Sequence, residues 1–90
     1  NYGSVSQTNI DAVRILDELS EILQKSEELT SDQKLEVVNN IDTIKNQIVS
    51  PKPNKQIVKL AWQTVSAMAN VAGATDLVVK IAQLLATFSA

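Results

Sequence analysis

Residues 57–88 set the terms on which this chain can fold. Charge is almost absent there, with only Lys59, Asp76 and Lys80 interrupting a run that includes Ile57-Val58-Lys59-Leu60-Ala61-Trp62 and ends Ile81-Ala82-Gln83-Leu84-Leu85. On a helical wheel at about 100° per residue, the part after Gly73 is apolar nearly all round, and only Lys80, Gln83 and Thr87 share a polar sector. A helix with so narrow a wet face is expected to be buried on several sides, in its own domain or against another chain.

The remainder has the composition of a small helical domain. Ninety residues can bury one modest core. Two glycines and two prolines suit helices joined by short connections, and one Tyr, one Trp and one Phe leave the core to aliphatic side chains. A net charge of -2 with pI near 4.9 speaks against a nucleic-acid surface, which needs clustered basic residues. Before Ile57 the basic side chains are spread singly among the carboxylates. Cysteine is absent, which fits a reducing compartment, although many exported bacterial proteins lack it as well. The polar start lacks the basic and apolar regions of a signal peptide, and a first residue of Asn rather than Met reads as a piece of a longer protein.

In chain order, residues 1–8 read as a polar linker end, with Tyr2 and Val5 alternating as in a short extended strand. A single helical domain over 9–90 follows. Its first helix is expected from Thr8 or Asn9, with Thr8 as cap and Asp11 three residues on. Ala12, Ile15, Leu16, Leu19, Ile22, Leu23 and Ser26 fall on its inner side. Asp17, Glu18, Glu21, Lys25 and Glu28 form a solvated face, with Arg14–Glu18 and Glu21–Lys25 as four-residue ion pairs.

Thr30 and Gln33 have the spacing of a capping box, so a second helix starts there. It carries Val37, Ile41, Ile44 and Ile48 as a narrow seam, and Leu35, Val38 and Val49 as a weaker strip facing the C-terminal helices. The segment Ser50-Pro51-Lys52-Pro53-Asn54 breaks the chain, because each proline lacks an amide donor and restricts its predecessor. Asn54 caps a third helix to about Asn70. Its main face is read as Ile57, Leu60, Ala61, Thr64, Val65, Met68 and Val71, with Val58, Trp62 and Ala69 widening the arc on one flank. Gly73 ends it in a left-handed conformation and Thr75 or Asp76 starts a fourth, unless one long helix bends at Gly73.

Chemistry-bearing residues are few. Without histidine or cysteine the chain lacks the usual general base, the thiol nucleophile and most transition-metal ligands. The two glycines are isolated, unlike those of a phosphate-binding loop. Asp76 reads as a helix-start residue. The expectation is therefore a non-enzyme with no catalytic, cofactor or metal-binding residues. Trp62 has two readings: a core side chain between the two halves, or an anchor that meets another chain together with Val58 and Ala69. A membrane-spanning helix wants about 20 consecutive apolar residues, and Gly73, Asp76 and Lys80 interrupt the run before that.

The run Leu29-Thr30-Ser31-Asp32-Gln33, the helix end at Ile44 to Ile48, and Ser50-Pro51-Lys52-Pro53-Asn54-Lys55 form one recognisable pattern. With Ala69-Asn70-Val71-Ala72-Gly73-Ala74 and Leu84-Leu85, it resembles the C-terminal helical module of AbiTii-type abortive-infection proteins and related bacterial phage-defence proteins. The resemblance implies a bacterial, cytoplasmic accessory or oligomerisation module attached to another domain, and it carries over no catalytic residue.

These readings converge on an all-α, four-helix domain of two antiparallel helical hairpins, 9–50 and 54–88, joined at the Pro-x-Pro linker. The expected role is protein interaction, with self-association through the last two helices. Val58, Trp62, Ala69, Val79, Ala82 and Ala86 are the candidate interface. The alternatives are a heterologous protein partner, or membrane perturbation by the C-terminal hairpin.

Overall fold

The computed structural model describes residues 7–89, all-helical apart from short connections, with no strand among them. The elements are α1 (Gln7–Gln24), α2 (Ser31–Ile48), α3 (Lys55–Val71) and α4 (Thr75–Ser89). Each helix packs on the next in sequence and α4 returns to α1, closing a ring about 41 Å long and 21 × 20 Å across. The α2–α3 contact is the most extensive of the ring and α3–α4 the least.

Local chemistry accounts for most of the helix ends. The Thr30 side chain accepts from the Gln33 amide at 3.1 Å while the Gln33 side chain accepts from the Thr30 amide at 2.9 Å, completing the expected capping box. Asn54 Oδ1 accepts from the Ile57 amide at 3.0 Å, and Gln47 Oε1 at the end of α2 accepts from the Asn54 amide at 2.7 Å. The start of α3 is thereby tied to the end of α2 across Pro51 and Pro53.

Gly73 has φ +82°, and two reversed hydrogen bonds close the end of α3: Gly73 N–H to Asn70 O at 3.1 Å and Ala74 N–H to Ala69 O at 2.9 Å. This is the Schellman arrangement. It makes α3 and α4 separate helices rather than one bent helix. A Cβ at Gly73 would meet nothing within 4 Å, so Gly73→Ala should cost only its backbone conformation. The expected loss is about 1–2 kcal/mol in denaturant unfolding, and a loss well above that would mean the site is also sterically closed.

The first helix departs from expectation at both ends. It already includes Gln7 and Thr8, which the sequence reading places in a linker. The alternating run at Tyr2 and Val5 lies outside the described residues. At the other end α1 stops at Gln24, which leaves Lys25, Ser26 and Glu28 in the turn before α2. Lys25 still donates its amide to Glu21 O at 3.2 Å, but the two side chains make no ion pair among the described residues. Arg14 sits 3.9 Å from Asp11, not at Glu18, and Lys45 of α2 pairs with Asp17 of α1 and lies 3.9 Å from Asp42. Such exposed pairs contribute little to stability.

The core is wholly aliphatic. Ala12, Leu16, Leu19 and Leu23 of α1, Leu29, and Val37, Ile41, Ile44 and Ile48 of α2 are buried, and the α2 seam is as its spacing predicts. From α3 come Val58, Ala61, Val65 and Ala69, and from α4 Ile81 and Leu85. No polar or charged residue is buried among those described. Leu35 and Val49, expected to meet the C-terminal helices, are exposed instead, because α2 already directs its narrow seam into the core.

Helix α3 is turned relative to the sequence reading. Its supposed flank, Val58 and Ala69, is core, while Ile57, Leu60 and Val71 of the supposed main face are exposed. The apolar arc of α3 covers more than half its circumference, and its packed neighbours α2 and α4 cover only part of that arc. The inward part is the one rich in small side chains, Ala61 and Ala69 among them, where helices can approach closely.

Candidate functional site

The least extensive contact in the ring leaves an open groove between α3 and α4, about 410 Å³ in volume. Its lining follows from helical spacing. Lys55, Lys59 and Trp62 stand at i, i+4 and i+7 on α3, and Ala82 and Ala86 stand at i and i+4 on α4, so each set lines one side of its helix. Val58 and Leu85, both buried, lie at the bottom. Trp62 is half-buried and packs against the core while still lining the groove. Its packing against the core fits the first of the two readings, and the groove leaves part of the ring open to solvent.

The six candidate interface residues are divided by the structure. Val58 at 2% and Ala69 at 0% exposure are inside the chain and are withdrawn as a contact flank. Trp62, Ala82 and Ala86 come together in the groove. Val79, also on α4, is exposed. The expectation that α4 is buried on several sides is met only in part within the chain. Ile81 and Leu85 are buried, and Leu77, Val78 and Leu84 pack against the core as half-buried residues. Val79, Ala82 and Ala86 face outward.

Two features of α3 emerge only in the fold. Lys55 and Lys59 belong to the groove, and their spacing from Trp62 was the available signal. In addition, the exposed part of α3 forms a stripe: Ile57, Leu60 and Val71 are exposed, Ala67 is exposed, and Thr64 is half-buried. The spacing runs three, four, three, four, as in the seam of paired helices.

A second groove, between α1 and α4, is lined by Asp11, Arg14, Ile15, Lys80, Gln83 and Leu84 and mixes both signs of charge. Asp76 is exposed in the first turn of α4, where it favours the positive end of the helix. Among the described residues no three acidic side chains gather as a metal site would require. No described helix is long and apolar enough to cross a membrane. The chain matches no protein-family model, no curated protein and no solved structure.

Proposed function

We propose that this chain is a non-enzymatic helical protein-interaction module that associates with itself through α3 and α4. The exposed stripe of α3 supports this reading most directly. Leu60 is 54% and Val71 59% exposed, and they lie along one side of α3 with Ile57 and Ala67. Scattered exposed apolar residues are ordinary, but four of them at seam spacing on one helix, around the half-buried Thr64, mark a contact surface. Removing it from water contributes about 25 cal/mol per Å². The resemblance to phage-defence modules, for its part, supports a bacterial cytoplasmic setting within a larger protein.

The finer architecture belongs to the same proposal: hairpins α1–α2 and α3–α4 joined at Pro51 and Pro53. Asn9 Nδ2 at the start of α1 donates to Ile48 O at the end of α2 at 3.4 Å, which supports an antiparallel α1–α2 pair. The groove brings Lys55 at the start of α3 beside Ala86 near the end of α4, which supports the same for α3–α4. The extensive α2–α3 contact makes the two hairpins a single packing unit.

Sedimentation velocity over a concentration series tests self-association. The wild-type chain is expected to shift from monomer to a larger species as concentration rises. The double variant Leu60→Asp/Val71→Asp is expected to remain a folded monomer by circular dichroism. A wild-type chain that stays monomeric throughout would overturn the proposal.

A further inference from the structure

We infer that the α3–α4 groove is a docking site for an acidic amphipathic helix of a different protein. The inference concerns another face from the α3 stripe and rests on its own observation, the charge of the groove. Lys55 and Lys59 line it, and neither belongs to any ion pair among the described residues, where Arg14 and Lys45 make the recorded contacts. The surrounding sequence sharpens the contrast: residues 1–50 hold nine carboxylates against four basic side chains, and residues 51–90 hold one carboxylate, Asp76, against four. An approaching acidic segment is therefore steered toward the α3–α4 side of the bundle.

The shape selects a helix. The groove is an open channel between two helices, with an apolar bottom at Val58, Trp62 and Leu85. Ala82 and Ala86 give it a low wall that lets a third backbone come close. An amphipathic helix lays its apolar side in such a channel and reads it at i, i+3, i+4 and i+7. Trp62 is the large half-buried side chain in it, the kind that anchors an interface. Lys55 and Lys59 lie one helical turn apart, matched to two carboxylates spaced likewise along the partner.

A second copy of this chain does not meet the description. Its acidic helices α1 and α2 spend their continuous apolar faces on their own core, at Leu16, Leu19 and Leu23 and at Val37, Ile41, Ile44 and Ile48. Their exposed apolar residues, Ile10, Ile22, Leu35 and Val49, are scattered.

The chain has a single tryptophan, so its emission reports on the groove directly. The probes are a synthetic amphipathic helical peptide with a leucine stripe flanked by glutamates four residues apart, and its counterpart with lysine at each glutamate. The glutamate peptide is expected to shift Trp62 emission to the blue with an affinity that weakens as salt rises, and the lysine peptide is expected to leave it unchanged. Lys55→Glu/Lys59→Glu is expected to lower affinity for the glutamate peptide by about tenfold or more and to admit the lysine peptide. Leu60→Gln/Val71→Gln, which disrupts the α3 stripe without adding charge, should bind the glutamate peptide as wild type does, which separates this result from the fate of self-association. The inference is overturned if the two peptides bind alike, if neither binds, or if charge reversal changes nothing. It is equally overturned if dodecanoate fills the groove while the glutamate peptide is refused, since that would make it a lipid-chain site.

Discussion

Ile41→Ala is expected to lower the stability of the chain by about 2–5 kcal/mol, the usual cost of truncating a fully enclosed aliphatic side chain and leaving part of its space empty. Ile41 is 1% exposed at the middle of the α2 seam, and α2 packs on both α1 and α3. A domain this size has roughly 5–15 kcal/mol of stability in all, and each kcal/mol moves the midpoint by about 4–8 °C. The melting temperature should therefore fall by about 8 °C or more. Leu35→Ala, on the same helix but 62% exposed, should change stability by no more than about 0.5 kcal/mol. Thermal unfolding of both variants by circular dichroism checks the pair. Similar shifts for the two would mean that α2 does not present the face described.

The second large effect concerns the rotation of α3. Ala69→Asp should unfold the chain at neutral pH, because Ala69 is 0% exposed and no basic side chain is buried with it to pair with a new carboxylate. Leu60→Asp should leave helicity and unfolding nearly unchanged, within about 1 kcal/mol, because the side chain already stands in water. Taken from the wheel alone, the order is reversed: Leu60 belongs to the main face and Ala69 to a flank available to a partner. Denaturant titration of the two variants decides between the orientations. A stable Ala69→Asp beside an unfolded Leu60→Asp would return α3 to the face its sequence suggests.

The groove was half legible in the sequence. Trp62, Ala82 and Ala86 were singled out for their place on apolar helices, and the fold brings them together. Val58, Trp62 and Ala69 all lie on one side of the wheel, yet the bundle takes Val58 and Ala69 inward and leaves only Trp62 near the surface. Lys55 and Lys59 acquired meaning only beside α4. As isolated residues on α3 they look like ordinary solvated lysines.

The start of α2, the start of α3 and the end of α3 were determined by the sequence alone. Their signals are local: a hydroxyl or amide side chain three residues from the backbone group it satisfies at Thr30 and Asn54, and a glycine free to take positive φ at Gly73. The inward face of α2 was equally determined, because Val37, Ile41, Ile44 and Ile48 form one stripe too narrow to be placed in more than one way. The orientation of α3 and α4 was decided only by the tertiary structure. Their apolar arcs are wider than the neighbouring helices can cover, so periodicity permits several rotations of nearly equal merit. The contacts with α1 and α2 select among them, and that choice leaves Leu60 and Val79 in water and opens the groove beside Trp62.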